Sequence, residues 1–318
     1  MRPFRIVTVK AARYSSHGGP EVIKIEEIAD PTPESSQVFV ENYAASINPF
    51  DYKVRSGMIP GMPSEFPLTI GGDFSGRIVS VGDKVTEFTV GDEIYGQASV
   101  FGGASGSIAE NLVANPGSIY LKPENTDFYE AASLPLVGAS AIQAIEDHIH
   151  LKKGQKILIQ GGSGGIGSIA IQIAKKIGAY IVTTVSTDNV EFAKSLGADR
   201  IIDYKKEDFS EILTDLDAVF DASGKKLDER SFKIVRSGAI IVSMTSVPKE
   251  LGSNTKEISV ISQNSQVTSD RLKRLKKYVE ENDVKPQIDR RFQLDDASDA
   301  YRYHEQDHPR GKVVIKIR

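Results

Sequence analysis

The sequence predicts a doubly wound α/β domain with β-rich segments before and after it, and three observations carry that reading. Residues 156–244 alternate short apolar strands with helical stretches, the pattern of right-handed crossovers onto a parallel sheet. A glycine-rich loop follows the first of those strands and opens the first of those helices. The first third of the chain instead carries closely spaced short strands broken by Gly-Asp turns, as in a small barrel or sandwich.

Taken in order, Val38–Ala44, Ser75–Val81 and Glu93–Gly96 are strand candidates, with turns at Gly82-Asp83 and Gly91-Asp92. The apolar spacing turns helical from Asp127 to His150, with a break at Leu134-Pro135-Leu136. Lys156–Gln160 reads as a buried strand. Ile166–Ile177 reads as a helix with Ile166, Ile169, Ala170, Ile173, Ala174 and Ile177 on one face. Tyr180–Val185 is a second strand, and Val190–Leu196 a helix stopped by Gly197. A short strand at Ile201-Ile202, a helix at Asp208–Leu213, a strand at Ala218–Asp221, a helix near Leu227–Val235 and a strand at Gly238–Met244 complete the alternation. Beyond it, Ile288–Phe292 and Lys312–Ile317 read as strands around a short helix at Ala297–Glu305, and the last strand can return to the first domain.

Composition bounds the function. The 318 residues are 40% hydrophobic and 26% charged, enough for two ordinary cores, and the formal net charge is −4. No basic tail stands out, which argues against nucleic acid and anionic membranes as partners. The one dense basic run, Arg271–Lys277, has helical spacing and reads as a solvated helix face. There is no cysteine, so disulfides, thiolate nucleophiles and thiolate metal sites are excluded. Met1–Lys10 lacks the apolar core of a secretory signal, and no apolar run approaches the ~20 residues that span a bilayer. A cytoplasmic location is the resulting expectation.

Gly161-Gly162-Ser163-Gly164-Gly165-Ile166-Gly167 holds G-x-G-x-x-G at Gly162, Gly164 and Gly167. After a strand and at a helix start, this pattern points to a dinucleotide: one glycine for the turn, one for the approach of a pyrophosphate, one for helix–strand packing. The helix N-terminus, with its unpaired N–H groups, faces the phosphates. An acidic residue ~20 residues beyond the last glycine would bind the ribose diol of NAD. Here Ser186 and Thr187 stand there instead, so NADPH is favoured over NADH. Tyr204 and Arg200 are either further phosphate contacts or ordinary surface residues.

Several segments in fixed order then resemble the medium-chain dehydrogenase/reductase superfamily, in its zinc-free quinone oxidoreductase branch. They are His17–Val22, Asn48-Pro49-Phe50-Asp51-Tyr52-Lys53 with Arg55-Ser56-Gly57, Gly72-Asp73-Phe74-Ser75-Gly76, Leu134–Gly138, the glycine loop, Ser195–Asp199 and Arg310–Val314. The resemblance implies a Rossmann coenzyme domain (126–266) inserted into a GroES-like, mainly β catalytic domain (1–125 and 267–318). It also implies a nicotinamide cleft between domains and a homodimer.

Zinc-dependent relatives take catalytic zinc from an early Cys, a His-Glu pair and a later Cys or Asp. Here Ile47-Asn48 and Gly72-Asp73 stand at the first two places, and the four-Cys structural lobe is absent, so no metal is expected. His148 and His150 form the one close histidine pair and read as an exposed helix end.

Without a Lewis acid, a simple ketone is a hard acceptor, whereas a quinone or conjugated enal or enone gives a delocalised anion that hydrogen-bond donors can stabilise. By the resemblance, Asn48 lies near nicotinamide or substrate, and Tyr52 or Lys53 supplies a hydrogen bond or proton. Packing for Tyr52, solvation for Lys53 and water as proton source stand as the alternatives. Many bacterial quinone oxidoreductases carry Tyr two places after the motif Asp; here Lys53 holds that place, as in alkenal- and enone-reducing relatives. Ser140 is expected on the nicotinamide amide, Ser223 beside adenine, Thr245 and Ser246 beside nicotinamide, and Asn264 over the cofactor. Arg310 and Lys312 either reach its phosphates or are solvated. The expected function is NADPH-dependent, zinc-independent hydride transfer to a quinone or α,β-unsaturated carbonyl. The alternative is an NADPH-binding redox sensor or partner protein with little turnover.

Overall fold

Thr8–Tyr14 alternates exposed and buried residues, the mark of a strand with one wet face, and it opens the first of two units in the computed structural model. The structure describes residues 8–59, 62, 65–247, 257–307 and 309–318; most of the segment Met1–Lys10 lies outside them. The first unit comprises Met1–Leu136, Val267–Glu280 and Pro286–Arg318, and the second Val137–Gln266 and Glu281–Lys285.

In the first unit Thr8–Tyr14 pairs antiparallel with Lys24–Ala29 and with Leu68–Thr69. A larger sheet runs in the order Ile288–Gln293, Lys312–Lys316, Val38–Ser46, Asp73–Val81, Glu93–Gln97, Ile119–Leu121, with Asn111–Ala114 also on Val38–Ser46. The C-terminal strand does return: Val314 faces Ser46 and Ile315 faces Ala45 in antiparallel register. That pairing sets the start of Lys312–Lys316 beside the Ile47-Asn48 corner. Among the described residues, one apolar cluster of the unit lies around Tyr14, Ile47, Tyr301 and Ile315 and another around Val40, Phe74, Ile94 and Leu112.

Residues 126–136, placed by sequence with the coenzyme domain, belong to the first unit. The short helix Phe128–Ala132 explains this: the Phe128 ring stacks on Tyr43 at 4.3 Å, and Ala132 is buried with Ala44 and Val314. The basic run lies in the helix Ser269–Asn282, whose Leu272, Leu275 and Val279 are buried, so the charges form its outer face.

The second unit is a six-stranded sheet, parallel throughout, in the order Arg200–Asp203, Tyr180–Val185, Lys156–Gln160, Leu216–Asp221, Val235–Ser243, Ser259–Ser262. Numbered along the chain this is 3-2-1-4-5-6, the doubly wound order, and its direction reverses between Lys156–Gln160 and Leu216–Asp221. The helix expected near Leu227–Val235 is only a 3₁₀ turn over Glu229–Phe232. Asp228 caps it through the Arg230 N–H at 3.0 Å, and the β-branched pair Ile234-Val235 enters the core, Val235 opening the next strand.

Candidate active site

Each glycine of the loop has a separate reason. Gly161 has φ +77°, a conformation that side chains disfavour. A Cβ on Gly162 would sit 2.1 Å from Thr183 Oγ1, and one on Gly167 2.2 Å from the Gly161 carbonyl oxygen, so both are closed by the protein itself. Gly164 differs. It caps the 13-residue helix Gly165–Ile177 in extended backbone (φ −78°, ψ 171°), and a Cβ there would find its nearest atom at an ordinary 3.5 Å. Nothing among the described residues requires glycine at Gly164, and the open space there is what the approach of a pyrophosphate would need. Ser163, Gly165 and Ile166 complete the partly exposed turn, and Gly161 approaches the Ser223 backbone at the reversal point of the sheet. The loop therefore fits a dinucleotide.

At the end of Tyr180–Val185, Ser186 accepts a hydrogen bond from Asn189 at 3.0 Å, and Thr187 donates to Asp203 Oδ2 at 2.6 Å. Asp203, at the end of the neighbouring strand, escaped the sequence reading. The hydrogen bond from Thr187, then those from the Lys205 N–H and Lys206, hold its carboxyl below the ordinary range. Its charge is thus balanced locally. Tyr204 is 54% exposed, with the Lys225 ammonium 5.9 Å from its ring centroid. Arg200 does not join them: it pairs across from Val182, three residues back from the strand end, and its guanidinium donates to the Ile212 carbonyl.

Ser223, Lys225 and Thr245 form one group, because Ser223 Oγ accepts from the Lys225 N–H and Thr245 donates to the Lys225 carbonyl at 2.8 Å. Ser246 and Asn264 are exposed, the latter's carbonyl accepting from Gln143 at 3.1 Å. Ser140 departs from expectation: it is fully buried and its hydroxyl donates to Ser265 Oγ at 2.7 Å, so Ser265 is the more exposed of that pair.

In the first unit the motif residues part company. Tyr52 packs against the apolar cluster, 5.8 Å from the His304 ring, and Lys53 is exposed. Asn48 and Asp73 turn inward and meet Lys312, which corrects the assignment of Lys312 to cofactor phosphates or solvent. Lys312 is 4% exposed, and its ammonium donates to the Ile47 carbonyl at 2.7 Å and to Asn48 Oδ1, with Asp73 Oδ2 at 3.5 Å. Burial pulls its pKa below the ordinary lysine value, while Asp73 and Asp51 push it back. Asp73, fully buried, also accepts from Gln97 at 3.1 Å and from the Leu136 N–H at 3.3 Å. Arg310 stays exposed, its backbone N–H on Asp289.

Asp51 accepts from the Asn48 N–H at 2.9 Å and from the Tyr301 hydroxyl at 3.3 Å. Asp51 keeps some solvent exposure, yet the protein around it strips away much of its hydration, and that, reinforced by the charge of Asp73, pushes its carboxyl up to about 7. It borders a small, partly open recess with Tyr14, Phe50, Thr69 and Phe101, where Phe50 meets Phe101 edge-on at 6.0 Å. The recess offers aromatic walls and a carboxyl able to hold a proton near neutrality.

The donor set does not suit zinc. An ammonium, an amide and a carboxylate meet where thiolates and imidazoles would be needed, and among the described residues no three His, Cys, Asp or Glu converge. His150 is exposed, and His148 Nε2 lies 3.5 Å from the Gln143 amide. No helix among the described residues is long and apolar enough to cross a membrane.

Comparison with known proteins agrees with this geometry. Residues 34–124 match the alcohol dehydrogenase GroES-like domain, and residues 196–315 match the family described as zinc-binding dehydrogenase. The chain is 36% identical to 2-methylene-furan-3-one reductase of Solanum lycopersicum and 35% identical to the NADPH-dependent alkenal/one oxidoreductase, chloroplastic, of Arabidopsis thaliana; each comparison covers 96% of this chain and 79% of the relative. Among solved structures, the quinone oxidoreductase from Coxiella burnetii superposes with a TM-score of 0.90 at 34% identity, over 98% of this chain and 100% of that one. The chain belongs to the medium-chain dehydrogenase/reductase superfamily, in its quinone oxidoreductase branch, and is an NAD(P)H-dependent oxidoreductase built from a GroES-like domain and a Rossmann domain.

Proposed function

We propose that the chain is an NADPH-dependent, zinc-independent reductase that delivers hydride to a quinone or an α,β-unsaturated carbonyl. The observation that carries the reading is the Lys312–Asn48–Asp73 cluster, whose donors suit an organic oxyanion and not a zinc ion. Hydride delivered to an electron-poor carbon leaves a phenolate or enolate, which needs only hydrogen-bond donors and a proton. The bound nicotinamide supplies the hydride. The chain's residues do the rest: the helix N-terminus holds the pyrophosphate in the space left at Gly164, Gly162 and Gly167 let the loop pack closely enough to present it, and Ser186, Tyr204 and Lys225 receive the 2′-phosphate. The small recess beside Asp51 places that carboxyl at an aromatic edge, where it can pass a proton to an acceptor bound outside. The names of the tomato and Arabidopsis relatives support an enone or alkenal, and that of the Coxiella structure a quinone. A homodimer and a cytoplasmic location belong to the same proposal, the first readable by light scattering and the second by fractionation.

The test follows NADPH oxidation optically against quinones, enals, enones and unconjugated ketones. Conjugated acceptors are expected to turn over at rates unchanged by a chelator, and saturated ketones to be inert. Tight NADPH binding with no acceptor accelerated, or activity lost to chelator and restored by zinc, rejects the reading.

Coenzyme choice gives a second expectation. Ser186→Asp places a carboxylate beside the 2′-phosphate site and is expected to weaken NADPH binding by roughly tenfold or more, from the repulsion of about 1–4 kcal/mol between like charges some 4 Å apart, with NADH unaffected or improved. Equal losses for both coenzymes would remove Ser186 from the 2′-phosphate site.

A further inference from the structure

Resting on the proposed reductase activity, we infer that Lys312 is a positioning residue: its ammonium turns the Asn48 amide so that Nδ2 alone faces the reacting acceptor, as the donor to the oxygen that becomes negative. An amide side chain can sit either way round, but a lysine ammonium only donates, so the amide atom bonded to it is oxygen. The nitrogen must then point away. Asn48 is 2% exposed, and its Nδ2 is buried with no hydrogen-bond partner among the described residues. A buried amide N–H without a partner costs roughly 1–3 kcal/mol, so the fold keeps it at a loss that a ligand oxygen would recover.

The rest of the cluster holds this orientation. Lys312 is itself fixed by the Ile47 carbonyl and Asp73, and Asp73 in turn by Gln97 and the Leu136 N–H. The Asn48 backbone is tied to Asp51, which borders the aromatic recess. An ammonium on Oδ1 also polarises the amide, so each N–H becomes a stronger donor at the moment negative charge develops opposite it.

The experiment uses the full chain with NADPH and whichever conjugated acceptor the wild type turns over best. Lys312→Met alone strands Asp73 as a buried unpaired charge and risks unfolding, so the informative variant is the neutral pair Lys312→Met/Asp73→Asn. Thermal unfolding and NADPH affinity of that pair are expected to stay near wild type, the affinity within about threefold, while kcat falls about 30- to 300-fold, the scale of one lost oxyanion donor. Asn48→Ala is expected to lose a similar factor. Because both act through one amide, combining all three substitutions should lower kcat by no more than about threefold further. A neutral pair with kcat near wild type, or losses that multiply in the triple variant, overturns the inference. Failure of the wild type to turn over any acceptor rejects the function itself, before a variant is made.

Discussion

Gly164→Ala is expected to fold like the wild type and to bind NADPH about ten- to a hundredfold more weakly, whereas Gly167→Ala first lowers the stability of its unit. The two glycines belong to one motif, yet their surroundings differ. At Gly164 the backbone is extended, and an added Cβ meets nothing closer than 3.5 Å. Losing glycine's unfolded-state freedom stabilises by ~0.4–1 kcal/mol at a compatible site, and alanine as helix cap costs a similar amount, so the net change in stability is near zero. The methyl group would stand where a pyrophosphate oxygen must approach the N–H groups of the helix start. At Gly167 the same methyl group lies 2.2 Å from a backbone oxygen and 2.9 Å from Gly162 Cα, and backbone must move. Overpacking of that kind costs about 1–3 kcal/mol or more. Thermal unfolding paired with an NADPH titration separates the two. Normal NADPH affinity in a folded Gly164→Ala protein would show that the open space at Gly164 is not a phosphate cradle.

This contrast also marks what the sequence could tell. Strand–helix alternation and the placed glycines are local patterns, so the parallel sheet and its loop were legible from Lys156 to Ser243. What failed there was also local: near Leu227, the apolar residues served a 3₁₀ turn and an early strand as well as they would a helix. Long-range pairing was a different matter. Lys312 lies 264 residues from Asn48, and a lysine at the start of a C-terminal strand reads as solvated unless the register against Val38–Ser46 is known. Asp203 was hidden for the same reason, since only the parallel pairing of Val185 with Asp203 brings a carboxylate beside Thr187. Asp51 stands inside the Asn48–Lys53 segment, yet its chemistry is not legible there, because loss of hydration in the folded chain, not residue type, gives it its raised pKa.

That loss of hydration makes a pH-dependent prediction for Asp51→Asn. In the folded protein the carboxyl titrates near 7, against 3.8 for the unperturbed group, so between those values the folded state holds a proton that the unfolded state has released. Stability therefore falls as pH rises from about 4 to about 7 and is level above, the reverse of the usual salt-bridged aspartate. At 1.36 kcal/mol per pKa unit the upper bound is about 4 kcal/mol, and partial relaxation around the recess brings the expectation to about 2 kcal/mol. Asparagine keeps the shape and, with its oxygen at the Oδ2 position, an acceptor for both the Asn48 N–H and the Tyr301 hydroxyl, but cannot ionise. The wild-type Tm is thus expected to drop relative to that of Asp51→Asn by roughly 4–8 °C across this window. The same protonation should show in turnover: the wild-type kcat/KM for a conjugated acceptor declines as pH passes 7, and the variant lacks that limb. A Tm difference independent of pH, or one of opposite sign, would mean that Asp51 is ionised throughout. The proton for the enolate would then have to come from another group or from water.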